Sequence, residues 1–123
     1  AKNDYIDFFN EEIEYRRQLK YPPFGNFFVV LFTGVDYNLT VRLLEELHFI
    51  MEHYNKNNQF TLLGPMPATI SKINNKYRYQ IVVKSTEETK LKNYVLYCIN
   101  KLKTRQKLDK INIGLYFNPN HSV

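Results

Sequence analysis

Between positions 72 and 84 basic and aromatic side chains interleave. Lys72, Lys76, Tyr77, Arg78, Tyr79 and Lys84 stand around the apolar run Ile81-Val82-Val83. In an extended backbone successive side chains point to opposite faces. Lys76, Arg78 and Gln80 then share one side, and Tyr77, Tyr79 and Ile81 the other. Cations in such a pattern neutralise phosphates, and Tyr77 or Tyr79 could stack on exposed bases. The competing reading puts Tyr79, Ile81 and Val83 in the core and leaves Arg78 and Lys84 facing water. The chemistry on offer is binding of a polyanion rather than catalysis.

A second concentration of functional side chains runs through Tyr15-Arg16-Arg17 to Tyr21-Pro22-Pro23-Phe24. Adjacent residues on a helix point about 100° apart, so Arg16 and Arg17 cannot share one ideal partner. One can bridge to Glu12 or Glu14. The other can clamp the neighbouring loop or another domain. Arg16, Arg17, Tyr21 and Phe24 are therefore the expected interdomain or partner contacts. Lys90, Lys92, Lys101 and Lys103 add positive charge to a later helix and can steer a polyanion without a fixed pose.

Catalytic patterns are missing. There are only four glycines and none sits in a run, so no phosphate loop is expected. His48 and His53 are five apart, off one helical face, where a metal pair would want four. His121 lies near the end of the chain. Cys98 falls on an apolar stripe and reads as an inert core thiol. Glu11, Glu12 and Glu14 read as a solvated cluster. No nucleophile, base and orienting group are brought together. Expected catalytic residues, metal ligands and cofactors of this chain are none.

Composition agrees with a binding role. The chain has 123 residues, one domain's worth. Hydrophobic residues are 44% and charged residues 24%, near the globular average, which argues against disorder. The net charge is +5, unevenly spread. Residues 1–61 carry 6 basic and 9 acidic groups, and residues 62–123 carry 11 and 3. A basic half on a small domain fits a polyanion partner, nucleic acid first. The longest apolar runs are far short of the about 20 residues of a spanning helix, so no membrane is expected. A lone cysteine excludes an internal disulfide framework and fits a reducing, cytoplasmic location. No signal peptide and no initiator methionine open the chain, as for a fragment of something longer.

The elements that must position these residues follow from periodicity. Residues 5–20 read as a helix stopped by Pro22-Pro23. Phe27–Phe32 is a continuous apolar run, the pattern of a central strand buried on both faces. Residues 38–55 read as a helix with Leu43, Leu47, Ile50 and Tyr54 as its stripe and Asn38 as cap. Phe60–Leu63 is a short strand, Gly64–Pro67 a bend, and residues 68–84 a hairpin turning at Asn74-Asn75. Ser85 or Thr86 caps a third helix with the stripe Leu91, Tyr94, Val95, Cys98, Ile99 and Leu102. Ile111, Ile113, Leu115 and Phe117 alternate as a last strand. The order after the first helix, strand–helix–strand–strand–helix–strand, predicts an α+β ferredoxin-like fold. It is an antiparallel sheet with two helices on one face, an added N-terminal helix and a second face free to bind. Residues 1–123 form one domain: 1–23 are the helix and Pro-Pro turn, and 24–119 the core.

At these residues the chain resembles the C-terminal domain of the bacterial replication-restart helicase family, primosomal protein N-prime (PriA). Phe9-x-x-Glu12-x-x-x-Tyr15-Arg16-Arg17-x-Leu19-x-Tyr21-Pro22-Pro23-Phe24 is the most specific match. Leu63-Gly64-Pro65-x-Pro67-Ala68, Lys76-Tyr77-Arg78-Tyr79-Gln80 with Lys84, and a final strand ending at Pro119 follow in order. The resemblance departs at the end, where Tyr116-Phe117-Asn118-Pro119 replaces the family's acidic Asp-x-Asp-Pro. It implies a parent that is an ATP-driven 3′-to-5′ DNA helicase of primosome assembly. ATP, magnesium and zinc sites are implied for its other domains. This chain would be a non-catalytic module contacting branched or single-stranded DNA at stalled forks. The implied protein partners are single-stranded DNA-binding protein and helicase-loading primosome proteins. The alternative is a docking domain for the helicase core or those partners. An RNA-binding ferredoxin-like module is a weaker third reading, because the glycine spacing of such modules is missing.

Overall fold

The structure is a computed structural model that describes residues 25–118. The expected helix over residues 5–20, with Arg16, Arg17, Tyr21 and Phe24, lies outside the described residues, as do Pro119 and His121. Strand β1 spans Asn26–Gly34, helix α1 Tyr37–Tyr54, β2 Thr61–Ile73, β3 Lys76–Ser85, α2 Glu88–Arg105 and β4 Asn112–Phe117. The sheet order is β2-β3-β1-β4, with every neighbouring pair antiparallel. This is the ferredoxin-like α+β arrangement expected from the chain.

Strand β1 is interior because its six-residue apolar run has no polar face to give to water. Phe28, Val30 and Phe32 point to the helices and join Ile81 and Val83 of β3 in the main core. The stripes of both helices close over them. In α2 the buried set is Leu91, Tyr94, Val95, Cys98, Ile99 and Leu102, as its periodicity predicts. Phe60, just before β2, stacks on Tyr94 with ring centroids 4.0 Å apart and planes 7° from parallel.

The other face is not free. Phe27, Val29 and Val82 are buried, with Leu63, Met66 and Tyr116 packed against them. Gln80 and Arg78 on the same face are 3% and 5% exposed. With both helices on one side of the sheet, this face is expected to be free to bind, and the burial overturns that expectation. The physical reason lies in the residues themselves. A wet strip of Phe27, Val29, Leu31 and Val82 would forgo about 25 cal/mol for each Å² of apolar surface.

Three local details differ from the sequence expectation. The cap of α1 is Asp36, not Asn38: its Oδ1 accepts from the Leu39 amide at 3.1 Å. The cap of α2 is Glu87, with no side-chain cap bond, and the Ser85 hydroxyl accepts from the Glu87 amide instead. Strand β2 does not stop at Gly64–Pro67. It runs through with register shifts between Leu63 and Met66 and between Pro67 and Lys72. Prolines survive here because β2 is an edge strand, where a missing N–H leaves no ladder bond unmade. Gly64 sits at φ 103°, where a Cβ would lie 2.8 Å from the Gln80 carbonyl oxygen.

Candidate nucleic-acid interface

The hairpin between β2 and β3 turns at Asn74 and Asn75, whose φ values of 52° and 63° are both left-handed. Two such residues make the turn whose twist matches paired strands, and asparagine tolerates the conformation better than most. The turn sets Lys72 opposite Tyr77 and Ile73 opposite Lys76. Lys72 and Lys76 are exposed. The Lys72 ammonium stands 4.8 Å over the Tyr77 ring, a position favoured by the ring's negative face.

Gly34, the last residue of β1, is paired with Tyr77. The chain turns there into α1, which brings Tyr37 onto the two hairpin tyrosines. The Tyr37 ring meets Tyr77 edge-on at 5.2 Å and Tyr79 at 5.7 Å. Tyr37 and Tyr79 share a hydrogen bond at 3.0 Å. That bond, then burial, then the charge of an ionised Tyr37 raise the Tyr79 phenol above its ordinary value. Tyr77 and Tyr79 are half-buried on the helix side of the sheet, and Tyr37 is 44% exposed. Three tyrosines and two lysines therefore gather at one end of the sheet. Tyr37 is the member that sequence reasoning misses, since only the pairing of Gly34 with Tyr77 carries it there.

The remaining expected residues fall elsewhere. Arg78 lies inside the second face, and its Nη1 donates to the Ile70 carbonyl at 2.8 Å. In this arrangement its guanidinium ties β3 to β2. Lys84 is half-buried at the other end of β3, opposite Phe27 and Thr61. Eight residues of strand separate it from Lys76, about 26 Å. Arg16, Arg17, Tyr21 and Phe24 are outside the described residues. Of the helix lysines, Lys90 pairs with Glu87 at 3.3 Å and Lys92 with Glu88 at 3.2 Å.

Of the groups weighed for catalysis, Glu11, Glu12, Glu14 and His121 lie outside the described residues. Cys98 is fully buried, and burial pushes its thiol up to about 12. His48 is half-buried, 3.8 Å from Glu52, and His53 is exposed against Tyr54. Among the described residues no three His, Cys, Asp or Glu side chains are placed to hold a metal ion. Among them, too, no helix is long and apolar enough to cross a membrane.

Residues 17–116 match the family model described as the primosomal protein N C-terminal domain. The chain is 26% identical over 118 residues to the replication restart protein PriA of Bacillus subtilis, covering 95% of this chain and 14% of that protein. It is 30% identical over 112 residues to the PriA of Borreliella burgdorferi, covering 87% and 16%. The chain thus spans about one-sixth of the length of these curated relatives or less. Among solved structures it is similar to a de novo designed protein, Foldit4, with a TM-score of 0.55 at 12% identity. That match covers 76% of this chain and 94% of the design, and it speaks to the fold alone.

Proposed function

This chain belongs to the primosomal protein N C-terminal domain family, and on that premise we propose that it is the non-catalytic DNA-contact module of a replication-restart helicase. One observation carries the reading: exposed Lys72 stands over Tyr77 in a cluster of three partly exposed tyrosines at the hairpin end, and exposed Lys76 leaves the same turn on the other side of β3. The lysines hold backbone phosphates, and the aromatic cluster receives unstacked bases of a fork or single strand. Arg78 acts from within, by fixing the hairpin that presents them. Sequence specificity is not expected, because neither phosphate contact nor stacking reads base edges. ATP hydrolysis, with its magnesium, and the zinc site belong to other domains of a cytoplasmic parent.

The test is fluorescence anisotropy of the 123-residue chain with a labelled fork, a single strand and a duplex at two salt concentrations. Lys72→Ala/Lys76→Ala is run beside it after circular dichroism has shown the variant folded. Each lost phosphate contact flattens the salt slope by roughly 0.7–0.9, so the double variant loses roughly 1.4–1.8. A folded chain that binds none of the three DNAs below about millimolar, weaker than ordinary non-specific binding, sinks the reading.

The helix layer favours a second role alongside. Phe49, Leu96 and Tyr97 are 63%, 46% and 47% exposed on its outer side. Such side chains suit docking against the helicase core, single-stranded DNA-binding protein or a helicase loader. Saturable one-to-one binding to one of these, unchanged by the lysine pair, is the expected mark of that role.

A further inference from the structure

The hairpin is not alone at its end of the sheet. The connection from α2 to β4 arrives at the same end, because Asn112 at the start of β4 pairs with Thr33. Its backbone lies against the end of β1: a Cβ built at Gly34 would stand 3.4 Å from the Lys110 carbonyl oxygen. Gly34 therefore has the hairpin's Tyr77 on one side and this connection on the other. From Lys103 to Lys110 the chain carries four basic residues and one acidic, Asp109. Residues Lys103–Asp109 line an open recess of about 610 Å³.

The charges there are unevenly used. Arg105 Nε forms an ion pair with the Glu46 carboxylate at 2.9 Å and Gln106 Nε2 donates to it at 2.9 Å, which anchors the end of α2 to α1. Lys107 and Lys110 are exposed and make no ion pair with a carboxylate among the described residues. Asp36, the other acid at this end, is occupied in capping α1. Tyr37, 44% exposed, follows the end of β1, the strand that lies between β3 and β4.

We infer that the nucleic-acid contact crosses this whole end of the sheet, from Lys72 and Lys76 over Tyr37 to Lys107 and Lys110, and that its occupant is a single strand. The inference rests on the DNA-contact reading above and deepens it. From β2 to β4 is three strand spacings, about 14 Å. That matches about four stacked nucleotides at 3.4 Å each. An exposed aromatic ring at an end that also carries exposed lysines suits bases that are unpaired, since a duplex keeps its base faces stacked inside. The lysines of the α2–β4 connection are then phosphate contacts in their own right, equal in kind to those of the hairpin.

The experiment measures binding of the 123-residue chain to an oligothymidylate of about 16 nucleotides, the upper end of single-strand site sizes. A duplex of equal length is the second arm, and both are run at two salt concentrations. Lys107→Ala/Lys110→Ala, Lys72→Ala/Lys76→Ala, Tyr37→Ala and Tyr37→Phe are compared with the parent chain, each checked by circular dichroism. Each lysine pair flattens the single-strand salt slope by about 1.4. Tyr37→Ala weakens single-strand binding roughly fivefold to a hundredfold, and Tyr37→Phe, which keeps the ring, stays within about twofold. Should Tyr37→Ala not fold, the Lys107/Lys110 pair decides. A parent chain that binds while that pair leaves affinity and slope unchanged overturns the inference and spares the hairpin. Equal or tighter binding of the duplex overturns the single-strand occupant. A parent chain that binds neither DNA removes both readings.

Discussion

The two ends of the sheet are made from the same four strands and use their polar side chains in opposite ways. Where β1 begins, side-chain amides close the backbone. The Asn118 Oδ1 accepts from the Phe27 amide, its Nδ2 donates to Asn26 Oδ1, and its own backbone N–H donates to the Phe27 carbonyl, each at 2.8 Å. Asn55 grips Phe60 from both sides, accepting from its amide at 3.0 Å and donating to its carbonyl at 2.7 Å. The acids Glu87 and Glu88 neutralise Lys90 and Lys92. At the hairpin end Lys76, Lys107 and Lys110 stay exposed with no carboxylate partner among the described residues, and tyrosines replace the amides. The contrast separates two tasks. Where β1 begins, amides close backbone groups and acids pair the nearby lysines, and the hairpin end leaves Lys76, Lys107 and Lys110 exposed. Solvated cations cost the fold little, and they become useful only when a polyanion arrives.

The most severe way to break the comparison is at the holding end. Phe60→Ala removes the ring stacked on Tyr94 and is expected to cost about 3–5 kcal/mol in urea unfolding. The salt slope of DNA binding by the folded fraction is expected to stay at its parent value. A slope that changes with Phe60 would mean that the two ends are not independent.

Asn118→Ala comes next. It deletes two side-chain hydrogen bonds of a residue that is 6% exposed and sits at φ 43°. Loss of the bonds and the left-handed strain on alanine together are expected to cost about 2–4 kcal/mol. Asn118→Asp keeps the acceptor for the Phe27 amide and is expected to cost markedly less.

Two tyrosines, one at each end, sharpen the comparison by pH. Tyr79 is raised chiefly by its hydrogen bond to Tyr37, and Tyr94 chiefly by burial. Burial likewise raises Cys98 from 9.0 to about 12. A group whose folded pKa is raised contributes stability below its unfolded value and loses it as pH climbs through the folded one. Stability should therefore fall from about pH 9 upward, by about 1.4 kcal/mol per pH unit from Cys98 alone. In near-ultraviolet titration, Tyr37→Phe should bring Tyr79 back toward its ordinary value and leave Tyr94 where it is. Movement of both would show that the cause assigned to Tyr79 is wrong.

Much of this architecture is legible in the chain, and the exceptions share a cause. The stripe from Leu91 to Leu102 is readable because a helix of 3.6-residue period buries one face whatever lies beneath it. The Asn74-Asn75 turn is readable because few residue pairs accept two positive φ values. Alternation also separates Arg78 from Tyr79 correctly. It cannot say that the Arg78 side is buried, since burial depends on what the finished fold packs there. Tyr37 is invisible for the same reason: nothing near it in sequence announces Tyr77 and Tyr79, forty residues on. The caps fail by smaller margins. Asp36, Asn38, Ser85 and Thr86 are all competent acceptors, and the backbone angle that chooses between them is set by the strand ends.

Asp36→Ala tests the first of those choices. Losing the bond to the Leu39 amide is expected to cost about 1 kcal/mol. It also removes an acid beside Tyr37, so single-strand binding should tighten slightly while stability falls. Opposite movements of the two quantities are what a contact end, not a holding end, should give.

The smallest effects form the finest comparison, because each end has a lysine over an aromatic ring. Lys92 stands 4.3 Å over Phe117 and is paired with Glu88. Lys72 stands 4.8 Å over Tyr77 and has no carboxylate partner among the described residues. An exposed ion pair contributes about 0–1 kcal/mol and an exposed cation–ring contact about 0.5–1. Lys92→Ala should therefore lower stability by at most about 1 kcal/mol and leave the DNA salt slope alone. Lys72→Ala removes only the ring contact from the fold, so its stability change should be smaller still. Its salt slope should nevertheless flatten by roughly 0.7–0.9, the value of one phosphate contact. Both variants lose one positive charge, so a general effect of net charge would move the two slopes together. A slope that moves with Lys72 and not with Lys92 excludes a general effect of net charge and assigns the effect to the hairpin-end lysine, which has no carboxylate partner among the described residues.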